Sequence, residues 1–436
     1  MIAPVEVRIS HERFTLPNGL DLIVHEDASI PMVGVNVWYH VGSKDERPGR
    51  TGFAHLFEHL MFEGSAHVPP GQFDKLLESA GGVNNGSTTT DRTNYWVNVP
   101  SNALELALWL EADRMGSLLD AMTQEKLDVQ RDVVKNERRQ SYENRPYGLA
   151  FEALLAHLYP AGHPYRHPVI GSMEDLSAAT LDDVIAFFRT YYAPGNASVA
   201  VAGDVRTQDV LRLVEDYFAD VPSGPPILEI PIEPASAFES RHVVIEDRVH
   251  LPRLYLAWHS LRHYTDADAL FEVLAGVLAD GKASRLHRRL VYEERIAQHV
   301  SAFQNGGELE GSFFVVVTGK PDTPLDRLRE EVLEELERIA GTGVEEEERV
   351  RAVNQIESGM VRMLERVGGF GGKADRLNEY HVFAGDAGFV GEDLERYRRA
   401  VPEQLARAAG RLLEAPRVTL SVVPRGRVDL GARAPA

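Results

Sequence analysis

The chain contains no cysteine. Disulfides and thiolate metal ligands are therefore excluded, and any bound metal must be held by histidine and carboxylate groups. Positive charge is also scarce: 46 Lys and Arg stand against 66 Asp and Glu, a formal net charge of −20. That balance disfavours nucleic acid as a partner and binding to anionic membrane surfaces. No uninterrupted apolar run approaches ~20 residues, so no membrane span is expected. Residues 1–19 carry no basic segment followed by an apolar one, the pattern of an export signal. As it stands the sequence predicts a soluble cytoplasmic protein, or a periplasmic one if a signal has been trimmed.

What the chain does hold is ordinary for a soluble globular protein. Its 436 residues are 44% hydrophobic and 26% charged, too long for one core and enough for two large domains or more. Leu16-Pro17-Asn18-Gly19 reads as a turn between strands, and Val33, Val35 and Val37 alternate in a further strand that follows Pro31. Helical patterns cover 73–80, 104–119, 123–142 and 181–191, with Thr123 as an N-cap. Residues 84–100 read as a loop followed by a strand rich in Thr, Tyr and Trp.

The second half echoes the first. Glu26-Asp27, Pro31 and Trp38 reappear as Glu246-Asp247, Pro252 and Trp258, and Ala193-Pro194 reappears as Ala415-Pro416. Both echoes have an offset of about 220 residues, a repeat of one α+β unit. The expected organisation is a unit over 1–221, a proline-rich linker over 222–239, and a second unit over 240–436.

One stretch carries chemistry. His55-Leu56-Phe57-Glu58-His59 lies among Phe53, Leu56, Phe57, Leu60 and Met61, apolar at helical spacing. On a helix His55 and His59 stand one turn apart on one face, and Glu58 borders the same site. Two neutral imidazoles suit Zn²⁺, which in a catalytic site takes a third protein ligand and leaves a position open. Random placement of 16 His predicts at most ~0.1 such patterns, so the match is informative. The helix at the equivalent place in the second half, Asp268 to Asp280, has no histidine pair, so a single site is expected.

A third ligand should come from the same half. The helix over 123–142 carries Glu125, Asp128, Asp132 and Glu137, and Val129, Val133 and Val134 suggest its buried stripe. Glu137 borders that stripe, but spacing does not choose it over Asp132, and a solvated acid is the plainer reading of either.

HxxEH on one helix with a glutamate on a second, with 77 residues between His59 and that glutamate, resembles the inverzincin metallopeptidases of the pitrilysin/insulinase (M16) family. Within it the chain is similar to bacterial members related to the mitochondrial processing peptidase. The resemblance extends over Leu16–Gly19, Gly52–Gly64, Asn84–Tyr95, Tyr192–Asp204 and Ala283–Leu290. It implies an α+β chain of two homologous repeated α/β units of the LuxS/MPP-like metallohydrolase fold, each an antiparallel-rich sheet packed with helices. It implies one Zn²⁺ per chain, with His55, His59 and Glu137 as ligands and Glu58 as general base. Hydrogen-bond acceptors on the far ring nitrogens should orient the imidazoles. The family usually has another glutamate seven residues before the third ligand, where this chain has Gln130.

The resemblance also suggests substrate contacts. Asn85 and the strand over 88–97 are similar to an edge onto which an extended peptide pairs through its backbone. Arg376 and Tyr380 lie close to where relatives place a substrate-binding Arg and Tyr, though the spacing differs from the expected Arg-x₆-Tyr. Gly368-Gly369-Phe370-Gly371-Gly372 reads either as a mobile loop at the substrate chamber or as a flexible connection. His163 and His167 are read as structural.

The combined expectation is a zinc endopeptidase acting on peptides or unfolded segments, as a homodimer or as a heterodimer with a paralogous subunit. No nucleic acid or membrane partner is expected. The rival is a non-catalytic structural or partner subunit of the same fold.

Overall fold

The computed structural model describes residues 7–227 and 239–434. They divide into two compact units, each discontinuous in sequence. The first comprises residues 7–138, 167–227 and 360–391, and the second 139–166, 239–359 and 392–434. The compact units thus cross the expected boundaries of 1–221 and 240–436. Much of the expected linker, 228–238, lies outside the described residues.

In the first unit the sheet is built from β1 (Glu12–Thr15), β2 (Asp21–Glu26), β3 (Met32–Tyr39), β4 (Val83–Thr88), β5 (Thr93–Pro100) and β6 (Ala197–Gly203). Their order is β1-β2-β6-β3-β5-β4, and every pair is antiparallel except β2 with β6. The second unit repeats the plan without the outermost strand. Its sheet contains β7 (Arg241–Asp247), β8 (Arg253–Ser260), β9 (Ala297–Asn305), β10 (Gly311–Gly319) and β11 (Val418–Pro424). The order is β7-β11-β8-β10-β9, again with one parallel pair, β7 with β11. The repeat read from Trp38 and Trp258 is therefore structural: each lies on the equivalent strand, β3 or β8.

Alternation sorts the first sheet into two faces. Val33, Val35 and Val37 of β3, Tyr95 and Val97 of β5, and Val199 and Val201 of β6 are fully or almost fully buried. Helices α1 (Phe53–Leu60), α2 (Gln72–Ser79) and α3 (Leu104–Ser117) belong to this unit, as does α4 (Gln124–Arg138). The opposite face is polar and aromatic, with Asn36, Trp38, Asn94 and Trp96, and the helix Lys373–Ala384 packs on it. Asp375 anchors that packing. Its Oδ1 accepts from Trp38 Nε1 at 2.9 Å, Asn94 Nδ2 at 2.9 Å and Asn36 Nδ2 at 3.2 Å, and its Oδ2 accepts from the Gly371 N–H at 2.7 Å. Asn378 adds a bond to the Asn36 carbonyl at 2.8 Å.

The glycine-rich stretch before this helix joins it to the helix Glu346–Met363. A Cβ on Gly34 would stand 2.6 Å from Gly368 Cα, so the stretch crosses β3 at backbone contact. Only glycine permits that approach. Tyr380, on the same helix, is fully buried and rings with Phe389. A side chain enclosed in the core cannot meet a substrate, so Tyr380 is withdrawn as a substrate contact.

The second unit has the mirror arrangement in sequence. The helix Ala150–Leu158, from the first half of the chain, packs on β8 and β11, with Leu154 and Leu158 buried against Tyr255, Ala257 and Leu420. The helix Asp266–Ala279, equivalent to α1, is buried along most of its length and carries no histidine. No helix among the described residues is long and apolar enough to cross a membrane.

Removing Asp375 leaves four buried donors without their acceptor. Asp375→Ala is expected to cost about 3 kcal/mol or more of stability, and Asp375→Asn, which keeps one oxygen, less. Urea unfolding followed by tryptophan fluorescence measures both; an Asp375→Ala midpoint equal to wild type overturns this reading of the interface.

Candidate metal centre

Helix α1 begins at Gly52 and buries Phe53, Leu56, Phe57 and Leu60. The opposite side therefore presents His55 and His59, one turn apart, with ring centroids 4.9 Å from one another. Helix α4 runs past it. The buried positions of α4 are Leu127, Val134 and Arg138, while Val129 and Val133 are 51% and 42% exposed. The expected stripe was therefore out of phase. The true inward face runs through Leu127, Gln130, Val134 and Glu137 at three- and four-residue steps. Asp132, the alternative ligand, is 75% exposed on the far side.

Glu137 Oε2 lies 3.4 Å from His59 Nε2 and 3.7 Å from His55 Nε2. All three donor atoms fall within 4.8 Å of one another. A tetrahedral ion with ligand bonds near 2.0–2.1 Å requires ligand–ligand separations of about 3.3 Å. The set thus fits Zn²⁺ in number, atom type and spacing. Among the described residues it is the one such group of three. His163 and His167 stand apart from it: His163 faces Glu310 in the second unit at 3.7 Å, and His167 faces Glu46 in the first at 3.7 Å.

Glu58 lies beside the ligands without joining them. Thr88 Oγ1 donates to its Oε2 at 2.6 Å. Burial raises the Glu58 carboxyl above its ordinary range, and the Thr88 bond, His59 and Arg92 pull the other way. Burial pushes His55 down to about 4, with His59 adding to the effect and Glu137 opposing it. Glu137 is held below its usual range, first by its bond to His59. The shifts of His55 and Glu137 favour the neutral imidazole and the ionised carboxylate, the forms that bind a cation.

Gln130, where the family resemblance leads one to expect glutamate, donates to Glu63 Oε1 at 2.6 Å. The amide ties α4 to the segment just after α1, where a second carboxylate would meet Glu63 as a like charge.

The edge of the sheet also differs from the reading of 88–97. That range divides into the end of β4, a tight turn, and β5, and β5 is interior, paired with both β3 and β4. The edge strand is β4. It carries Asn85, which is exposed and accepts from the Gly86 N–H at 2.8 Å, and it passes close to Glu58: a Cβ on Gly86 would lie 3.3 Å from Glu58 Cγ. Arg92, in the turn, donates to the Ser87 carbonyl at 2.8 Å and to Asn94 Oδ1 at 3.0 Å. Arg376 is partly buried and pairs with Glu379 at 2.7 Å. Thr88, Arg92 and Glu63 were missed in the sequence; Thr88, three residues beyond Asn85, was the nearest to a visible signal.

Residues 22–171 match the family described as Insulinase (Peptidase family M16), and residues 178–356 match Peptidase M16 inactive domain. The chain is 33% identical to the zinc protease PqqE of Helicobacter pylori over 337 residues, covering 76% of this chain and 74% of that protein. It is 26% identical to a probable mitochondrial-processing peptidase subunit beta of Arabidopsis thaliana, over 80% of this chain and 66% of the other. The solved structure of a protease from Helicobacter pylori superposes with a TM-score of 0.86 at 27% identity, covering 96% of this chain and all of that one.

His55 supplies a test of the site's electrostatics. The unfolded chain protonates it near 6.5 and the folded chain only near 4, so between these values the unfolded state binds more protons. The stability of the metal-free protein should therefore rise with pH across that window. His55→Leu should flatten the rise in urea-unfolding midpoints between pH 4.5 and 7; an unchanged slope rules out the assignment.

Proposed function

Since the chain belongs to the M16 (insulinase) family of peptidases, we propose that it is a zinc-dependent endopeptidase, with one Zn²⁺ held by His55, His59 and Glu137. Its relatives' names support a zinc protease in general terms. The observation that carries the finer reading is the convergence of two imidazoles and a carboxylate beside a second, non-ligating carboxylate that is itself held in place by a hydroxyl.

Bound zinc supplies a Lewis acid that polarises a carbonyl and acidifies water. The residues of the chain do the rest. Thr88 holds Oε2 of Glu58, so Oε1 is the atom that accepts a proton from the attacking water and returns it to the leaving amine. The raised affinity of the buried Glu58 carboxyl for protons suits both steps. An extended peptide pairs along the outer edge of β4, past Asn85 and Gly86, so that a backbone carbonyl is presented near Glu58. Pairing through the backbone selects extended chain in preference to particular side chains.

Among the described residues the His–His–Glu group lies wholly in the first half of the chain, and the second half matches Peptidase M16 inactive domain. A non-catalytic subunit role is the second reading, and it differs in its outcome. Glu58→Gln is expected to retain zinc and lose at least about 100-fold in kcat, within the range for a lost general base, whereas His59→Ala is expected to lose both metal and cleavage. Elemental analysis and a quenched-fluorescent peptide library read the two. Zinc without cleavage in the wild type favours the subunit role with a paralogous partner; normal turnover by metal-loaded Glu58→Gln refutes the mechanism.

A further inference from the structure

The second ring nitrogen of His55 has no protein partner. Its Nδ1 is buried, and among the described residues no group accepts from it. Ligating histidines are ordinarily oriented through that atom by a carboxylate or carbonyl. His55 must then take its orientation from the backbone that carries it, and the start of α1 is built to supply this.

Gly52 is the N-cap of α1, in the left-handed region at φ 89°. A Cβ there would stand 2.7 Å from the Ile170 carbonyl oxygen, so no Ser, Thr, Asp or Asn can occupy the position and cap the helix with its own side chain. The cap comes from six residues earlier. Glu46 Oε2 accepts from the Gly52 N–H at 2.9 Å, and Oε1 accepts from the Ala54 N–H at 2.8 Å. Ala54 directly precedes His55. The Glu46 side chain is wholly buried, His167 Nδ1 stands 3.7 Å from its Oε2, and Asp45 and Asp175 are near enough to act on its charge. The residue before the cap is pinned as well: Thr51 donates through its N–H at 3.0 Å and its hydroxyl at 2.6 Å to Asp175.

A buried carboxylate without a lysine or arginine partner is costly to keep. A helix of eight residues also gains little stability of its own. We infer that Glu46 is a positioning residue for the metal centre: by bridging the Gly52 and Ala54 N–H groups it fixes the first turn of α1, and with it the direction in which His55 presents Nε2. The inference rests on the zinc reading proposed above.

Glu46→Gln keeps the shape but has one acceptor for two donors, and its amide NH₂ faces a backbone N–H. The variant is expected to bind Zn²⁺ at least tenfold more weakly in competition with a fluorescent chelator. Loaded with Co²⁺, it is expected to show a visible absorption band displaced or weakened relative to wild type. Val210→Ala, a core truncation on the helix Thr207–Phe218 of the same unit, controls for loss of stability and should keep the wild-type affinity and spectrum. A folded Glu46→Gln chain with wild-type affinity and spectrum overturns the inference alone, as does Val210→Ala weakening the metal equally. Wild-type chain that binds neither ion overturns the zinc reading and the inference with it.

Discussion

The proposed metal centre depends on holding three donor atoms, from two helices far apart in sequence, within a few tenths of an ångström of a tetrahedral arrangement. Each helix is short on means to do this alone. Helix α1 has eight residues and a glycine for its cap, and α4 offers its glutamate near its last turn, partly exposed. The structure compensates by tying both ends. Glu46 and Asp175 fix the approach to α1, and the Gln130–Glu63 bond joins α4 to the segment after α1. These ties place polar and charged groups where water is scarce, an arrangement that is unfavourable for stability by itself and is found where geometry matters.

The two sheets share one strand order, yet one unit alone presents metal ligands. The difference lies in the helix that follows the third strand. In the first unit it leaves one side for His55 and His59. Its counterpart, Asp266–Ala279, is longer and buries Phe271, Val273, Leu274, Val277 and Leu278 around most of its circumference. A helix enclosed on that scale leaves little of its surface open to present side chains as α1 does.

Much of this was legible in the sequence because it is written in local patterns. The HxxEH stripe, the Asn-Gly turn, the valine alternation of β3 and the repeat offset each report a few neighbouring residues, and each corresponds to an element found. What escaped depends on contacts between distant segments. The phase of α4 was misjudged because Val129 and Val133 are apolar but exposed, and its real inward face mixes Leu127 and Val134 with Gln130 and Glu137. The edge strand was placed too late because β4, with Asn84, Asn85 and Gly86, has the composition of a loop; its pairing with β5 makes it a strand. Tyr380 gave no hint of its burial, since its helix packs on β3 and β6, strands from the first half of the chain. Glu46 caps a helix it does not adjoin, which no capping signature encodes.

The exchange of helices between the two halves bears on how the chain is made. The first sheet acquires the cover for its polar, aromatic face from residues 373–384. At ribosomal rates of roughly 5–20 residues per second, that helix emerges on the order of ten seconds after β6 has been synthesised. Through that interval Asn36, Trp38, Asn94 and Trp96 lack their partners on a sheet whose strands are otherwise all present. Completion of the amino-terminal sheet's cover is therefore tied to synthesis of nearly the whole polypeptide.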